Sequence, residues 1–273
     1  MQKMLELYHH SESVCAQKVR LALAEKNLEW TSHYVTLEKG EHRTEEFRKI
    51  NPKEVVPVLI HDGLNIPEST VICEYIDEAF DGPPLMPAEA YWRSRKRLWT
   101  KRVDEGLHYP HTYLLSFITA FRHMSMAHLD TPEKINEYLG TIGNPRTRQL
   151  QEIVLTQGMD SDVFREAIVF YDTVLADMET ALSENDWLAG SSFSLADIGL
   201  APYVHRVADL DMMYMCESRP AVRDWYERIK SRESWQKAII DWNDPNFLEP
   251  MQHFGRKARP VTEKTWRDHC RHE

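Results

Sequence analysis

The sequence has no closely spaced cysteine pair and no long apolar run. Its four cysteines are scattered along 273 residues: Cys15, Cys73, Cys216 and Cys270. Such spacing is typical of free thiols in a reducing compartment and not of a disulfide framework. No apolar stretch reaches the roughly 20 residues of a membrane-spanning helix, and Met1–Leu7 is a short mixed, strand-like run with Lys3 and Glu6, which does not indicate a signal peptide. These absences predict a cytoplasmic protein with no membrane partner.

Excess positive charge is also missing. The formal net charge of −10 argues against nucleic acid as a partner. Basic residues do cluster between Arg93 and Arg102, where a solvated helix face or a subunit contact explains them. With 28% charged and 42% hydrophobic residues, the composition is that of a globular protein long enough for two modest domains. The bulk properties therefore predict an enzyme or a binding protein.

The first eighty residues alternate strand-like runs with helices that are apolar on one face. Runs typical of strands lie at Leu5–Tyr8, Tyr34–Leu37, Val55–Ile60 and Leu64–Ile66, and helical patterns at Val14–Lys26 and Ser69–Phe80. This order predicts a thioredoxin-like domain, a small mixed sheet flanked by helices. The segment Asp81–Pro84 breaks the pattern and predicts a domain boundary, so the first domain comprises residues 1–83.

The rest of the chain is almost wholly helical in pattern and predicts an all-α domain over residues 84–250. Helices are expected at Glu89–Leu107, Tyr113–His123 and Phe164–Leu182, the last with an apolar stripe typical of a helix-bundle core. The segment Leu129–Asp162 contains three glycines and two prolines, which predicts a loosely structured insertion that shapes a binding site. Residues 251–273 form a polar C-terminal extension, which suits either a lid or a frayed tail.

A helix-capping signal stands at Phe193–Ile198. Ser194 is expected to cap a helix, and Asp197 to reach back to the backbone of Ser194. Its role is structural, a folding signal without chemistry.

Four segments in order resemble the glutathione transferase superfamily. They are Leu7-Tyr8 with Ser13 and Lys18-Val19-Arg20-Leu21, Asn51–Leu59, Glu68–Ile76, and the capping signal Ser194–Asp197. The resemblance extends from residue 5 to about residue 240. It implies a thioredoxin-like α/β N-terminal domain followed by an all-α C-terminal domain, with glutathione as co-substrate and a homodimeric assembly.

The resemblance also implies how glutathione would be held. The bond Val56-Pro57 is expected to be cis, which costs about 0.5–1 kcal/mol relative to trans, so that the backbone of Val56 pairs with the tripeptide as one more strand. Glu68 and Ser69, at a helix start, would take its γ-glutamyl end.

The glycine carboxylate at the other end of glutathione needs a cation, and His42 and Lys53 are the candidates. A solvated surface role suits Lys53 equally well. Many relatives carry glutamine at the position of Val55, so glutathione here depends on the two cations and could bind differently or more weakly.

Ser13 matches the serine that activates the thiol in serine-type relatives. Its place before the first helix suits a hydroxyl that donates to a thiolate, although the same place suits a plain helix cap. Ser11, Tyr8 and Cys15 are rivals for this role. Because serine stands where thiol-type members have cysteine, nucleophilic addition or displacement is favoured over disulfide exchange, with Cys15 as an apolar filler.

The electrophile is expected to be hydrophobic and aromatic. The run Glu68–Tyr75 and the insertion before Phe164 look closest to bacterial lignin β-etherases. An apolar pocket is predicted from His108, His111, Tyr113, Phe117 and Tyr203, with Phe121 and His205 as further candidates, although each suits a core role as well. No metal site is expected. The hypotheses are a glutathione transferase, a glutathione-dependent ether-cleaving or dehalogenating enzyme, and a non-catalytic glutathione-transferase-like binding protein.

Overall fold

A four-stranded mixed sheet organises the N-terminal part of the chain. The computed structural model describes residues 4–271, apart from the side chain of Ser125. Residues 1–3 of the predicted first domain and residues 272–273 of the predicted C-terminal extension lie outside the described part. The strands are β1 (Leu5–His9), β2 (Thr31–Tyr34), β3 (Val58–His61) and β4 (Leu64–Pro67), in the order β2-β1-β3-β4. Strand β1 runs parallel to β2 and antiparallel to β3, which pairs antiparallel with β4.

Three helices accompany this sheet: α1 (Val14–Glu25), α2 (Glu45–Ile50) and α3 (Ser69–Ala79). Leu5 and Leu7 alternate toward the core from the sheet, and Ile72 and Ile76 recur one turn apart on the buried side of α3. The predicted thioredoxin-like fold is thereby confirmed, including β1, β4, α1 and α3 to within a few residues.

Two strands are displaced from their predicted positions, and one helix was missed. The second strand ends at Tyr34, because the chain then turns through two short 3-10 segments around Gly40, whose φ is 72°. The third strand begins only at Val58, after Pro57, which has no N–H to donate to a ladder. Helix α2 begins where the hydroxyl of Thr44 accepts from the Phe47 N–H at 3.2 Å.

The remaining described helices follow in chain order. They are α4 (Ala90–Arg102), α5 (Tyr113–Ser116), α6 (Arg122–Ser125), α7 (Pro132–Gly140), α8 (Pro145–Thr156), α9 (Asp162–Glu184), α10 (Leu195–Asp209), α11 (Pro220–Lys230), α12 (Glu233–Ala238) and α13 (Pro245–Cys270). The predicted helix Glu89–Leu107 is shorter than expected, since α4 gives way to a π-helical segment, Val103–Thr112, in which Tyr109 is non-helical before Pro110. No helix within residues 4–271 combines the length and the apolarity of a membrane span.

The chain divides into two compact units. The first comprises Met1–Val103, Thr180–Val204 and Ala221–Pro245, and the second Asp104–Glu179, His205–Pro220 and Asn246–Glu273. The division at residues 83 and 84 and the extension 251–273 stay predictions about domains.

The expectation of loose structure at Leu129–Asp162 was wrong, because α7 and α8 lie there. Each helix begins with a capping side chain followed by proline: the hydroxyl of Thr131 accepts from the Lys134 N–H, and the amide oxygen of Asn144 accepts from the next two free N–H groups. The prolines that suggested a loop are therefore helix starts.

The C-terminal segment is not a frayed tail. Helix α13 buries one face within the second unit, and the Trp266 Nε1–H donates to Asp172 Oδ1 at 2.5 Å. On the same face, a Cβ at Gly255 would lie 2.7 Å from the backbone of Leu210, so only glycine permits this approach.

Candidate active site

Ser13 stands at the start of α1, as predicted. Its backbone is extended, and its hydroxyl oxygen accepts from the Ala16 N–H at 3.3 Å, which confirms it as the N-cap. A serine hydroxyl that accepts one hydrogen bond keeps its own hydrogen for donation. The side chain is half-buried, so the structure offers a partly exposed O–H donor at the positive end of a helix dipole.

The three rival residues have other surroundings. Ser11 is buried, and its hydroxyl lies 3.1 Å from the hydroxyl of Tyr34. The ring of Tyr8 is stacked on His33 at 4.4 Å, and burial raises the pKa of its phenol. Cys15 is buried on α1, with its Sγ 3.8 Å from the Tyr203 hydroxyl.

The peptide bond between Val56 and Pro57 is cis, as predicted. Within the described part of the chain, neither the N–H nor the C=O of Val56 has a hydrogen-bond partner. The preceding loop is held by Asn51, a buried residue that donates to the Val55 carbonyl at 2.8 Å and accepts from the Lys53 N–H at 3.1 Å. Sequence reasoning missed this role of Asn51, for which an Asn-Pro pair, typical of turns, was the available signal.

The start of α3 has an unusual backbone. Glu68, its N-cap residue, has a φ of 71°, which is rare for a non-glycine residue, and its side chain makes no capping bond. Ser69 follows as the first helical residue and is buried. Strained backbone of this kind costs about 1–3 kcal/mol and clusters at functional sites.

Lys53 and Glu68 meet at the protein surface. Lys53 Nζ lies 2.6 Å from Glu68 Oε1, and this hydrogen bond raises the pKa of Lys53. Both side chains are exposed, so the pair can open at little energetic cost. The structure thus brings together two residues that the sequence assigned to opposite ends of glutathione.

His42 lies in the second 3-10 segment after β2 and is half-buried. Its Nδ1 is buried with no hydrogen-bond partner among the described residues. Burial, reinforced by Arg43, lowers the pKa of His42. The lowered pKa leaves the ring neutral at neutral pH, so it can donate a hydrogen bond but does not supply a positive charge.

Arg20 holds the loop that leads to Ser13. Its Nη1 donates to the His10 carbonyl at 3.1 Å, and its Nη2 donates to the Ser11 carbonyl at 2.8 Å. Its Nε donates to the carbonyl of Ala238 at 2.7 Å. The sequence pattern contained Arg20, but nothing local indicated these contacts.

Comparisons with known proteins agree with this geometry. Two family models match: Glutathione S-transferase, N-terminal domain, at residues 12–79, and Glutathione S-transferase, C-terminal domain, at residues 165–228. Protein LigF of Sphingobium sp. is 32% identical over 235 residues, which are 84% of this chain and 90% of that protein. The chain belongs to the glutathione S-transferase family.

Further relatives of this glutathione transferase support the same assignment. Glutathione S-transferase Z1 of Arabidopsis thaliana is 39% identical over 240 residues, covering 87% of this chain and 92% of the relative. The crystal structure of beta-etherase LigF from Sphingobium sp. superposes with a TM-score of 0.73 at 28% identity, over 87% of this chain and 99% of that one. Glutathione transferase F7 from Populus trichocarpa gives 0.67 at 27% identity, over 88% and 100%. The transferase is thus an enzyme with the glutathione transferase fold.

The residues predicted to line the electrophile pocket of this transferase belong to both units, and their place in a pocket stays a prediction. In the second unit, His111 is stacked on Phe170 at 4.0 Å, Tyr113 is hydrogen-bonded to Gln151 of α8, and Phe117 is buried. His108 is half-buried on the π-helical segment. Tyr203 belongs to the first unit and is buried beside Cys15.

A cavity of about 290 Å³ lies within the second unit. Its lining includes His111 and none of the other four predicted pocket residues; it is formed by Tyr109, Pro110, His111, Leu114, Arg146, Gln149, Leu150, Ile153, Val163 and Glu166. Burial lowers the pKa of His111. Helix α8, which the sequence did not predict, supplies one wall of this cavity.

No group of three or more metal-ligating side chains is present in the described part of the transferase. That the enzyme works without a metal stays a prediction from its sequence.

Proposed function

We propose that this glutathione transferase activates the thiol of glutathione with the hydroxyl of Ser13 and directs it at a hydrophobic, aromatic electrophile. The observation that carries the proposal is the half-buried hydroxyl of Ser13 at the N-cap of α1. A thiolate beside it would gain about 0.3–1 kcal/mol from the helix dipole and roughly 1.5–3 kcal/mol from the charge-assisted hydrogen bond. Lowering the thiol pKa by two units needs roughly 2.7 kcal/mol, a value within the range that the two contributions span together.

The tripeptide would lie along the loop that contains the cis bond between Val56 and Pro57, and along the start of α3. The unpaired N–H and C=O of Val56, next to Pro57, suit a backbone that adds as a strand. Ser69 and the uncapped first turn of α3 suit the γ-glutamyl carboxylate, with Glu68 facing its ammonium. Lys53 would supply the cation for the glycine carboxylate by exchanging its surface partner Glu68 for it, and His42, neutral because its pKa is lowered, would contribute a hydrogen bond from its ring.

The reaction is a nucleophilic displacement. The thiol releases its proton to solvent and the sulfur, held by the Ser13 hydroxyl, attacks an electrophilic carbon. A carbon–sulfur bond forms as the bond to the leaving group breaks, and the leaving group departs with the electron pair and takes up a proton. The serine hydroxyl donates its hydrogen bond throughout without transferring its proton.

A second candidate narrows the substrate to aryl ethers. The similarity to a protein described as beta-etherase LigF favours it. The sulfur would then displace a phenolate from carbon, giving a glutathione thioether and a phenol; a dehalogenating enzyme would release halide in the same step. Product masses from a panel of aryl ethers and aryl halides would separate these classes.

The transferase is further proposed to be a cytoplasmic homodimer. Its cysteines are unbridged thiols, which suits a reducing compartment, and the family resemblance favours dimerisation through the polar helix α4.

The test of the proposed role of Ser13 uses two variants. Ser13→Gly removes the hydroxyl and, as a change at a helix cap, should lower the free energy of unfolding by only a few tenths of a kcal/mol. Ser13→Ala should lower it by about 1 kcal/mol. We expect both to lower kcat/KM for a reactive aryl chloride by about 10–100-fold and to raise the thiol pKa by about one to two units. Affinity for S-methylglutathione, which has no thiol, should be unchanged in calorimetry.

The matched control is Ser11→Ala, which should leave the thiol pKa in place. Unaltered turnover in both Ser13 variants would refute the assignment of the activating hydroxyl. Glutathione binding without conjugation of any electrophile would instead indicate a non-catalytic binding protein.

A further inference from the structure

Five lysine and arginine side chains are buried in the described part of the chain, and two of them differ from the rest. Lys26 is 2.7 Å from Asp77, Lys96 is paired with Glu74, and Arg206 is 3.9 Å from Asp209. Lys18 and Arg20, each only 1% exposed, have no carboxylate within ion-pair distance among the described residues. A buried charge without a counter-ion is costly, so a pair of them on one helix requires an explanation.

The head groups of both residues point toward the proposed glutathione site. Long side chains on a helix lean toward its N-terminus, and the guanidinium of Arg20 accordingly reaches the carbonyls of His10 and Ser11. Lys18 Nζ donates to the hydroxyl of Thr70 at 3.3 Å, in the first turn of α3. One cation thus lies behind the loop before Ser13, and the other behind the turn assigned to the γ-glutamyl carboxylate.

Of the groups around Arg20, the Glu12 carboxylate in the loop lies beyond ion-pair distance but still favours the charged form of the guanidinium, as does Tyr34 of β2. The remaining neighbour is His9 of β1, whose Nδ1 accepts from Arg20 Nη1. Burial lowers the pKa of Arg20 to about 9, which leaves it cationic at neutral pH.

Lys18 faces the ring of Tyr203, whose centroid is 5.8 Å from its ammonium, and the same tyrosine contacts Cys15. An aromatic face attracts a cation without supplying a negative charge.

We propose that Lys18 and Arg20 are positioning residues for bound glutathione, Lys18 serving as the counter-ion of the γ-glutamyl carboxylate through Thr70 and Arg20 serving the thiolate through the β1–α1 loop. This inference rests on the proposed function. Neither cation reaches the surface, so each acts through the groups that it holds and through its field. Burial of the Lys18 ammonium without a carboxylate is costly in the unliganded enzyme, and binding of the anionic tripeptide would offset that cost.

The stability of the unliganded protein gives a test that needs no glutathione. Lys18→Met should leave the melting temperature unchanged or raise it, because it removes a buried charge that has no partner. Lys96→Met is the matched control, a buried lysine that has a carboxylate, and it should lower the melting temperature because Glu74 loses its partner. A fall for Lys18→Met as large as that for Lys96→Met would overturn the proposal.

Binding supplies the second arm. Lys18→Met should weaken glutathione and S-methylglutathione alike by about tenfold, while Lys96→Met leaves both affinities unchanged. Arg20→Lys keeps the positive charge but loses the two hydrogen bonds from Nη1 and Nη2 to the carbonyls of His10 and Ser11. It should raise the thiol pKa by about one unit, so that the thiolate fraction at neutral pH falls about tenfold. Its affinity for S-methylglutathione should not change.

The two ideas fail in different ways. A wild-type protein that binds no glutathione would refute the proposed function, and the comparison of melting temperatures would still decide the state of Lys18. A wild-type protein that binds glutathione, with variants whose affinities and thiol pKa match it, would refute the role of the buried cations alone.

Discussion

His9 connects the sheet to the loop before Ser13 through a neutral imidazole. Its Nδ1 accepts from Arg20 Nη1 at 3.2 Å, so its Nε2 carries the hydrogen that it donates to the Ser32 hydroxyl at 2.8 Å. The ring also meets Trp30 and Trp242 edge to face. Burial, then the charge of Arg20 and the neighbouring histidines His10 and His33, lowers the pKa of His9 from 6.5 to about 3.

This lowered pKa predicts acid sensitivity. The unfolded chain takes up a proton at His9 below pH 6.5 while the folded protein does not, so the free energy of unfolding should fall as the pH drops from 6.5 toward 3. One proton corresponds to a slope of about 1.4 kcal/mol per pH unit. His9→Gln keeps a donor for Ser32 and should flatten this slope in urea unfolding measured across that range. An unchanged slope in His9→Gln would show that His9 does not titrate as proposed.

Residue roles were predictable from the sequence only where they depend on neighbours in the chain. The cap at Ser13 and the cis bond before Pro57 follow from short motifs. The contacts of Arg20 do not, since Ala238 lies 218 residues away, and the pairing of Lys53 with Glu68 depends on how two loops meet in the fold. Long-range contacts of this kind have no local pattern.

At the scale of elements, Asp197 is the centre of the capping signal. Its carboxylate accepts from the Ser194 N–H at 2.9 Å, as predicted, and also from the Ser194 hydroxyl at 3.1 Å. It also accepts from the Leu188 N–H at 3.0 Å and the Trp225 Nε1–H at 2.9 Å, which the sequence did not indicate. The carboxylate is fully buried, so one side chain satisfies four donors at the start of α10.

Removal of this carboxylate should destabilise the protein strongly. Asp197→Ala leaves several buried donors unsatisfied and should cost about 3 kcal/mol or more in the free energy of unfolding. Ser194→Ala removes only the cap hydroxyl and should cost about 1 kcal/mol. Chemical denaturation of both variants measures the difference; equal losses would mean that the donors from Leu188 and Trp225 find other partners.

Elements were predictable where an apolar face repeats with a clear period. Helix α3 and strand β1 have such faces. Strand β2 is polar and mostly exposed at the sheet edge, so it gave no alternating signal and was placed too late in the chain. Helices α7 and α8 begin at prolines that were interpreted as loop signals, and α13 was missed because its buried positions are separated by charged ones.

At the scale of the whole molecule, the order of short motifs carried more information than composition did. Composition indicated only a globular protein, whereas four ordered segments implied the family that the comparisons then established. The residues of the electrophile pocket stay a prediction, because such a pocket depends on side chains from several helices whose packing no motif records. His111 and Tyr113 illustrate this dependence, since each contacts a side chain of a different helix, Phe170 of α9 and Gln151 of α8.

The proposed homodimer leads to a prediction about exposed apolar side chains. Tyr91 and Leu98 lie two turns apart on one face of α4 and are 62% and 55% exposed, and Val71 on α3 is 53% exposed. Burial of such side chains in an interface between two subunits would favour dimerisation. We expect the wild-type protein to sediment as a dimer and Leu98→Glu to sediment as a monomer, because burial of an unpaired carboxylate is costly.

Val261→Glu is the matched control, since it changes an exposed apolar residue on α13. It should remain dimeric in the same sedimentation experiment. If the wild-type protein has the mass of a single chain, the dimer is refuted; if Leu98→Glu stays dimeric, the contact lies on another face. Because the residues proposed to hold glutathione all belong to the first unit, a monomeric Leu98→Glu should still bind the tripeptide, which separates assembly from the chemistry of the site.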